Sequence, residues 1–387
     1  MMNFEFTTAG LIIFGAGKRT ELINLLRGYR AERVFCVNSG SLERAQPIFD
    51  LIREAGAHYQ AFSVRKEPDL GLILDGVSRV RAFRPDCIVA VGGGSVIDAA
   101  KAFAALEAND GDLMDYLEVI GQGQPLENPV RVPVIAMPTT SGTGSEVTRN
   151  AVISSPDHRV KVSLRSRTML PAVALVDPEL TVSTPASVTA SSGMDALIQL
   201  IEPYVSNAAS PFTDPLCLQG LKVGAPALKV AYAEPDNVEA RTAMAYASLL
   251  GGIALTNAKL GAVHGSAGVL GGMFDAPHGG LCARLLPPVI EANLAALRQR
   301  QPDGEALARY DDAARAVLGR ADATGDDLAA WAWEMNQALA IAPLREYGIE
   351  TTHLSEIAAK SAKASSMKGN PLVLTQDELV NILEKAL

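Results

Sequence analysis

The sequence predicts an α/β fold in which an N-terminal Rossmann-like parallel sheet is followed by an all-helical half. In the first half, short buried apolar runs alternate with amphipathic segments, which is typical of a parallel sheet covered by helices on both faces. After Pro185, strand-like runs almost vanish and apolar residues recur at helical spacing. We therefore predict two domains, 1–185 and 186–387, and expect a small-molecule site in the cleft between them.

The individual elements follow from where each apolar run begins and ends. Glycine and serine clusters close several strands, and leucines three or four residues apart mark the helices between them. The predicted strands cover 11–14, 33–38, 59–64, 86–91, 133–137 and 172–177, with helices over 22–29, 42–56 and 70–83. In the second half, helices are predicted over 192–202, 239–258, 288–298, 304–318, 326–339 and 376–387.

Composition and charge exclude several classes of protein. The chain has 387 residues, of which 48% are hydrophobic, which is enough for two full-sized cores. Its formal charge of −9 argues against nucleic acid or an anionic membrane as the main partner. No apolar run approaches the ~18 residues of a membrane span, and the N-terminus lacks a signal-peptide pattern. The scattered cysteines indicate buried thiols in a reducing compartment, so we predict a cytoplasmic protein.

A glycine-rich turn is the clearest local motif. The predicted strand at 86–91 runs into three glycines, and a helix begins immediately afterwards. Glycines let the backbone approach a pyrophosphate closely, and the new helix directs its N–H groups at the anion. The motif matches neither GxGxxG nor a Walker A loop, so a tight turn capped by Ser95 or Asp98 is the alternative. The residues that we predict to bind a cofactor here are Gly92, Gly93, Gly94, Ser95 and Asp98.

A second loop, 138–148, follows the strand at 133–137 and is rich in hydroxyl groups. Small donors of this kind bind phosphate, ribose or a nicotinamide amide, although many such loops have no ligand. Ligands bind outside the carboxyl ends of parallel strands, so two such loops in one sheet favour a nucleotide site. The predicted contacts are Thr139, Thr140, Thr143 and Ser145.

The end of the second strand bears on the choice between NAD and NADP. An acidic residue there normally accepts from the ribose 2′-hydroxyl of NAD. Here the strand ends in Asn38, Ser39, Gly40 and Ser41, and no carboxylate occurs before Glu43. Ser39 and Ser41, followed by Arg44, would accommodate a 2′-phosphate, so NADP is favoured. The alternative is an ordinary loop in an enzyme that takes either cofactor.

Four polar residues in the helical half form a candidate metal site. Asp195 and Gln199 lie four residues apart and share one face of a helix, and His264 and His278 flank a glycine-rich segment. A carboxylate, an amide oxygen and two imidazoles are able to hold one divalent ion. The alternatives are a capping box between Ser192 and Asp195, and ordinary buried histidines.

Five blocks together resemble the iron-containing (group III) alcohol dehydrogenases. They are Gly92-Gly-Gly-Ser95-Val-Ile-Asp98, Pro138-Thr-Thr-Ser-Gly-Thr-Gly-Ser-Glu146, Asp177-Pro-Glu-Leu-Thr181, Gly193-Met-Asp-Ala-Leu197 and Pro277-His278-Gly. The resemblance covers nearly the whole chain. It implies a dehydroquinate synthase-like architecture, NAD(P)-dependent interconversion of an alcohol and a carbonyl compound, a divalent metal such as Fe²⁺ or Zn²⁺, and a homodimer or larger homo-oligomer.

The same resemblance implies roles for single residues and reveals two departures. Asp195, His264 and His278 match the family's ligands, and they are the residues expected to carry catalysis. The remaining ligand is normally His, but here it is Gln199, whose neutral amide implies weaker metal binding. A histidine that relays protons in many members is replaced by Gly268. Lys161 matches a lysine often found after the second loop, where it would contact cofactor or substrate, and a solvated surface lysine is the alternative.

Two alternative functions stay open at this point. One is a maleylacetate reductase-like enzyme that works without a metal on a carboxylated keto substrate. The other is a nucleotide-binding protein without turnover, which the two missing imidazoles would explain. Neither alternative function identifies the substrate.

Overall fold

The computed structural model describes residues 4–387 and shows two compact units. One unit contains residues 8–140 and 144–183, and the other contains 4–7, 141–143 and 184–387. The segment 141–143 therefore packs with the second unit although it lies within the first half of the sequence. The predicted boundary after residue 185 stays a prediction.

The first unit is built on a six-stranded parallel sheet, which confirms the predicted fold class. Its spatial order is β1-β8-β5-β4-β2-β3, and every neighbouring pair is parallel. The remaining two strands, β6 and β7, form a separate antiparallel hairpin that was not predicted. The strands are β1 Leu11–Phe14, β2 Arg33–Asn38, β3 His58–Ser63, β4 Cys87–Gly92, β5 Val134–Pro138, β6 Asn150–Ser155, β7 Val160–Arg165 and β8 Val173–Val176.

Helices cover both faces of the sheet, as a buried parallel sheet requires. Apolar side chains from α3 and α4 pack in one cluster against the sheet, and those from α1 and α2 pack in another. The prediction for α3 agrees with the structure at both ends. The helices of this unit are α1 Glu21–Gly28, α2 Leu42–Glu54, α3 Leu70–Phe83, α4 Gly94–Glu107 and α5 Leu113–Tyr116.

Strand register brings three loops to the same edge of the sheet. Asn38 at the end of β2 pairs with Val91 in β4, and Gly92 at the end of β4 pairs with Pro138 in β5. Because the strands are parallel, the loops that follow them leave from one edge. The segments 39–41, 92–95 and 138–140 are therefore neighbours in space, although about 100 residues separate the first from the last.

The second unit is all-helical, as predicted, and its apolar residues form one continuous core. The helix predicted over 288–298 begins ten residues earlier, because Pro287 and Pro288 lie inside it and do not mark its start. The helices are α6 Ala186–Val205, α7 Asp214–Ala233, α8 Val238–Asn257, α9 Ala262–Met273, α10 His278–Arg300, α11 Glu305–Leu318, α12 Gly325–Ala338, α13 Leu354–Ser361 and α14 Gln376–Ala386.

Helix α10 is the centre of this core. By length and composition it is the one helix of the described residues that would be able to cross a membrane, but 78% of its apolar window is buried inside the protein. Its first turn lies directly on α6: a Cβ at Gly279 would be 2.4 Å from the carbonyl oxygen of Ser191. Only glycine allows this close approach of the two backbones.

A buried polar cluster joins α4 to the segment after the second loop. Lys101 is fully buried, and its Nζ lies 3.0 Å from Asp98 Oδ1 and donates to Thr148 Oγ1 at 2.9 Å. Asp98 also accepts from Ser145 Oγ and, at 2.9 Å, from the backbone N–H of Val152. Burial, partly opposed by a backbone hydrogen bond and by Lys101, raises the pKa of the Glu146 carboxyl to about 7.

Replacement of Glu146 by Gln should change how stability depends on pH. The pKa of Glu146 in the folded chain, about 7, lies above its ordinary value of 4.5, so the protonated side chain stabilises the fold at low pH. This contribution is lost as the pH rises from 4.5 towards 7. Relative to the wild type, Glu146→Gln should therefore gain roughly 2 to 4 kcal/mol between pH 5 and pH 8.

Urea unfolding at pH 5, 6, 7 and 8 would measure this gain. The exposed Glu54→Gln exchange in the same unit is the matched control and should show no such trend. A constant difference between Glu146→Gln and the wild type at all four pH values would contradict the raised pKa.

Candidate metal centre and nucleotide loops

Asp195 and Gln199 lie on the inner face of α6, both almost fully buried. The helix begins at Ala186, so Ser192 lies inside it and the capping-box interpretation of Asp195 is wrong. Gln199 Nε2 donates a hydrogen bond to Asp195 Oδ2 at 2.8 Å. This contact fixes the carboxylate and leaves its other oxygen free to face the neighbouring helices.

The two predicted histidines come to this carboxylate from different helices. His264 on α9 places Nε2 3.2 Å from Asp195 Oδ1, and His278 in the first turn of α10 places Nε2 4.0 Å from the same oxygen. His264 is buried, whereas the His278 side chain is 31% exposed and lies on the open side of the group. Three of the four predicted ligand residues therefore direct ligand atoms at one point.

The hydrogen bonding of this group fits a cation. Within residues 4–387, three of the buried side-chain atoms that have no hydrogen-bond partner are Asp195 Oδ1, Gln199 Oε1 and His264 Nε2. Buried polar atoms are almost always satisfied, and a bound ion is one of the few explanations for a cluster of exceptions. All three atoms carry lone pairs when the imidazole is neutral. Asp195 Oδ1 and His264 Nε2 lie 3.2 Å apart, so one divalent ion would satisfy both of them.

Cys282 belongs to the same group, which the sequence analysis did not foresee. Its Sγ lies 3.5 Å from His278 Nε2, and ligand atoms of Asp195, His264, His278 and Cys282 all lie within 4.8 Å of one another. His278 and Cys282 are four residues apart on α10, the spacing that places Asp195 and Gln199 on one face of α6. That spacing was the signal available in the sequence.

Glu202 is a second residue that the sequence analysis missed. Its Oε2 lies 2.6 Å from His264 Nδ1, and its Oε1 accepts from the backbone N–H of Val263 at 2.7 Å. A carboxylate on one imidazole nitrogen fixes the tautomer and leaves the other nitrogen as the donor to a metal. Glu202 therefore orients His264 Nε2 towards Asp195.

The electrostatics of the group favour positive charge at its centre. Burial opposes ionisation of Asp195, but contacts with His264 and His278 outweigh it and lower the pKa of the carboxyl. Burial also opposes the charged form of His264, yet Cys282, Asp195 and Glu202 raise its pKa well above 6.5. Burial opposes ionisation of Cys282 as well, but the two imidazoles outweigh it and lower the pKa of the thiol. Cys36 has no such neighbours among the described residues, and burial raises its pKa to about 12.

The glycine-rich turn joins β4 to α4, and two predicted contact residues, Asp98 beside this turn and Ser145 in the second loop, have internal partners. Helix α4 begins at Gly94 with Gly93 as its N-cap, so capping by Ser95 or Asp98 is wrong. A Cβ at Gly93 would lie 3.1 Å from Thr140 Oγ1, so this glycine keeps the gap between the two loops open. The side chains of Asp98 and Ser145 bond each other inside the unit.

The remaining predicted contacts are spread along both loops. The N–H of Thr139 donates to the Gly92 carbonyl at 3.0 Å, which ties the second loop to the first. Thr143 belongs to the short segment that packs with the helical unit. Lys161 lies on β7, and its Nζ is 2.6 Å from Glu67 Oε2. This ion pair is a partner that the sequence analysis did not foresee.

Ser39 and Ser41 lie half-buried in the turn after β2. Arg44, which was predicted to stand beside them, donates instead to the Ser183 carbonyl. Arg65 takes that place, because a Cβ at Gly40 would lie 2.9 Å from its Nε. An exposed guanidinium therefore borders the turn in which the cofactor's ribose is expected.

Gly268 faces open space on α9. A Cβ at this position would meet no other atom within 4 Å. The helix thus leaves open space next to Gly268, the position where the resemblance implies an imidazole.

Comparison with known proteins agrees with this architecture. Residues 9–178 match the family described as iron-containing alcohol dehydrogenase, and residues 189–387 match the C-terminal part of the Fe-containing alcohol dehydrogenase family. The chain is 33% identical over 393 residues to the NAD-dependent methanol dehydrogenase of Bacillus methanolicus, covering 100% of both chains. It is 34% identical over 392 residues to the NADPH-dependent butanol dehydrogenase of Clostridium saccharobutylicum, covering 98% of this chain and 97% of that one.

A solved structure gives the same result in three dimensions. The crystal structure of a 1,3-propanediol oxidoreductase superposes with a TM-score of 0.90 at 32% sequence identity, and the match covers 100% of both chains. Sequence and fold therefore agree from the first strand to the last helix. The chain belongs to the iron-containing alcohol dehydrogenase family, and it is an NAD(P)-dependent oxidoreductase that interconverts alcohols with carbonyl compounds.

Proposed function

We propose that Asp195, His264 and His278 hold a divalent ion, Fe²⁺ or Zn²⁺, and that the reaction takes place beside it. The observation that supports this is the cluster of buried ligand atoms without partners. When bound, the ion would polarise the substrate oxygen while the nicotinamide exchanges hydride with the adjoining carbon. Gln199 remains a predicted fourth ligand, and its contact with Asp195 gives it a positioning role in any case.

The protein side chains contribute positioning rather than proton transfer. Glu202 holds His264, and Gln199 holds Asp195, so both ligand atoms are set before an ion arrives. With no side chain at Gly268, we propose that the proton of the alcohol is exchanged with water. A small alcohol or aldehyde is the substrate class, as the names of the relatives indicate for those proteins, and the open space at Gly268 admits a bulkier one.

The three loops at the carboxyl edge of the sheet would hold the cofactor. We propose that the N–H groups at the start of α4 bind the pyrophosphate and that Thr139, Thr140 and Thr143 contribute donors. The turn containing Ser39 and Ser41 favours NADP, because Arg65 borders it and no carboxylate is present. NAD remains the second candidate, since the relatives named above include an enzyme for each cofactor.

The expected location, oligomeric state and partners of the enzyme follow from its family resemblance. We propose a cytoplasmic homodimer or larger homo-oligomer that acts on a small molecule and has no nucleic-acid or membrane partner. Four free, buried cysteines and the net charge of −9 support this setting. We further propose that the functional division falls after residue 185, with the cofactor bound by 1–185 and the metal by 186–387.

Removal of the metal is the test of the proposed function. Protein purified without chelator should contain close to one iron or zinc per chain and oxidise NADPH with small aldehydes. Chelation should remove nearly all of this activity, and the ion should restore it, because no side chain replaces a Lewis acid at the substrate oxygen. Undiminished turnover without metal would favour the maleylacetate reductase-like enzyme. Absence of both metal and turnover would favour the nucleotide-binding protein.

Exchange of Glu202 for Gln should weaken metal binding. Gln keeps the shape but loses the charge that fixes His264, so the Kd for Zn²⁺ should rise about 10- to 100-fold. Competition with a fluorescent zinc chelator would measure it. The exposed Glu239→Gln exchange on α8 is the control and should leave the Kd unchanged. Equal zinc affinity in both variants would show that Glu202 does not orient the ligand.

Exchange of Arg65 for Ala should alter cofactor preference. If Arg65 binds the 2′-phosphate, the Kd for NADPH should rise about tenfold, whereas the Kd for NADH should stay within about twofold. Titration of protein fluorescence with each cofactor measures both constants. Arg53→Ala, which removes an exposed arginine of α2 in the same unit, should change neither. An equal loss for both cofactors would contradict recognition of the 2′-phosphate.

A further inference from the structure

We propose that Cys282 is the fourth strong metal ligand of this chain, and that Gln199 acts on Asp195 rather than on the ion. This inference rests on the proposed metal site but goes beyond the ligands that the resemblance implies. It assigns a thiolate to the centre, together with one carboxylate and two imidazoles. The expected ion is Zn²⁺.

Helix geometry brings Cys282 to the site. It lies one turn after His278 on α10, fully buried, and the first turn of α10 is held against α6 by the close approach at Gly279. The helix pair thus presents Asp195 and Gln199 from one side and His278 and Cys282 from the other. His264 on α9 completes the group.

The distances are close to those of four protein ligands around one zinc ion. Ligand atoms at about 2.0 to 2.3 Å from a tetrahedral ion lie about 3.3 to 3.8 Å from one another. The atom pairs in this structure are 3.2 Å for His264 Nε2 and Asp195 Oδ1, 3.5 Å for Cys282 Sγ and His278 Nε2, and 4.0 Å for His278 Nε2 and Asp195 Oδ1. Small movements of these side chains would place all four atoms around one ion.

Cys282 is not a lone thiol in an apolar core. Asp195 Oδ1 and His264 Nε2 are buried and have no hydrogen-bond partner within residues 4–387. Both atoms lie within 4.8 Å of the thiol sulfur. Each is a ligand atom that a shared ion would satisfy. The other buried cysteines provide the contrast, because none of them belongs to a group of potential metal ligands in the described chain.

Donor chemistry favours the thiolate over the amide as the fourth donor. Zinc in proteins is bound by thiolates, imidazoles and carboxylates, and a neutral amide oxygen is not among its usual donors. Gln199 already uses its N–H group on Asp195, and its free oxygen is a weaker donor to zinc than sulfur.

The thiolate should also decide which ion is retained. Sulfur ligands favour Zn²⁺, whereas Mn²⁺ prefers oxygen. Loss of the Cys282 thiol should therefore weaken zinc binding far more than manganese binding. We expect the Kd for Zn²⁺ to rise by at least about a hundredfold in Cys282→Ser and the Kd for Mn²⁺ by less than about tenfold.

The test uses the full-length chain loaded with Co²⁺ and with Zn²⁺. The Co²⁺ protein should show a thiolate-to-metal charge-transfer band in the near ultraviolet in addition to visible ligand-field bands. Cys282→Ser should lose the charge-transfer band but keep the ligand-field bands. The control Cys217→Ser makes the same exchange at a buried thiol on α7 and should keep both the charge-transfer band and the ligand-field bands. The variant Gln199→Ala should also keep the charge-transfer band.

X-ray absorption of the zinc-loaded wild type keeps the proposal testable if Cys282→Ser does not fold. It should show one sulfur at about 2.3 Å and three or four nitrogen or oxygen atoms at about 2.0 to 2.2 Å, the fourth being a water in the position that the substrate oxygen would take. Stoichiometric zinc with no sulfur neighbour would overturn the Cys282 assignment and leave the proposed function intact. Failure of the wild type to bind either ion would overturn both.

Discussion

A buried carboxylate with one free oxygen is the constraint on which the helical unit depends. Asp195 is 2% exposed, and only one of its oxygens is bonded, by Gln199. An uncompensated buried charge costs several kcal/mol, so the surrounding helices must supply a compensating positive charge. They supply His264 and His278. Burial opposes the charged form of His264, but Cys282 and the neighbouring carboxylates raise its pKa, and Cys282 and Asp195 raise the pKa of His278. The neutral imidazoles would donate lone pairs to an ion in the same place.

The position of these side chains depends on helix packing and on a supporting hydrogen bond, neither of which involves the ion directly. Gly279 lets the first turn of α10 lie on the backbone of α6, and without that approach His278 and Cys282 would be held away from Asp195. Glu202 then restricts His264 to one tautomer. Backbone packing thus decides which groups meet, and the carboxylate on the far side of the imidazole decides which atom faces the centre.

The sequence was sufficient for elements with strong local patterns and insufficient for contacts between them. The parallel strands and the helix α3 were predicted because apolar periodicity is local, and Asp195 could be paired with Gln199 by helix spacing alone. The start of α10 was missed because prolines inside a long buried helix resemble a helix start. Lys101 was missed for another reason: nothing local distinguishes a buried lysine from a solvated one. Its partners lie about 45 residues further along the chain.

The proposed Cys282 ligand would also have a consequence for reactivity. A thiolate donates more electron density to the ion than an imidazole or an amide does. The ion would then polarise the substrate oxygen less strongly, and the reaction would depend more on how closely the nicotinamide and the substrate carbon are held. Gly268 adds to this dependence, because no side chain there assists the proton.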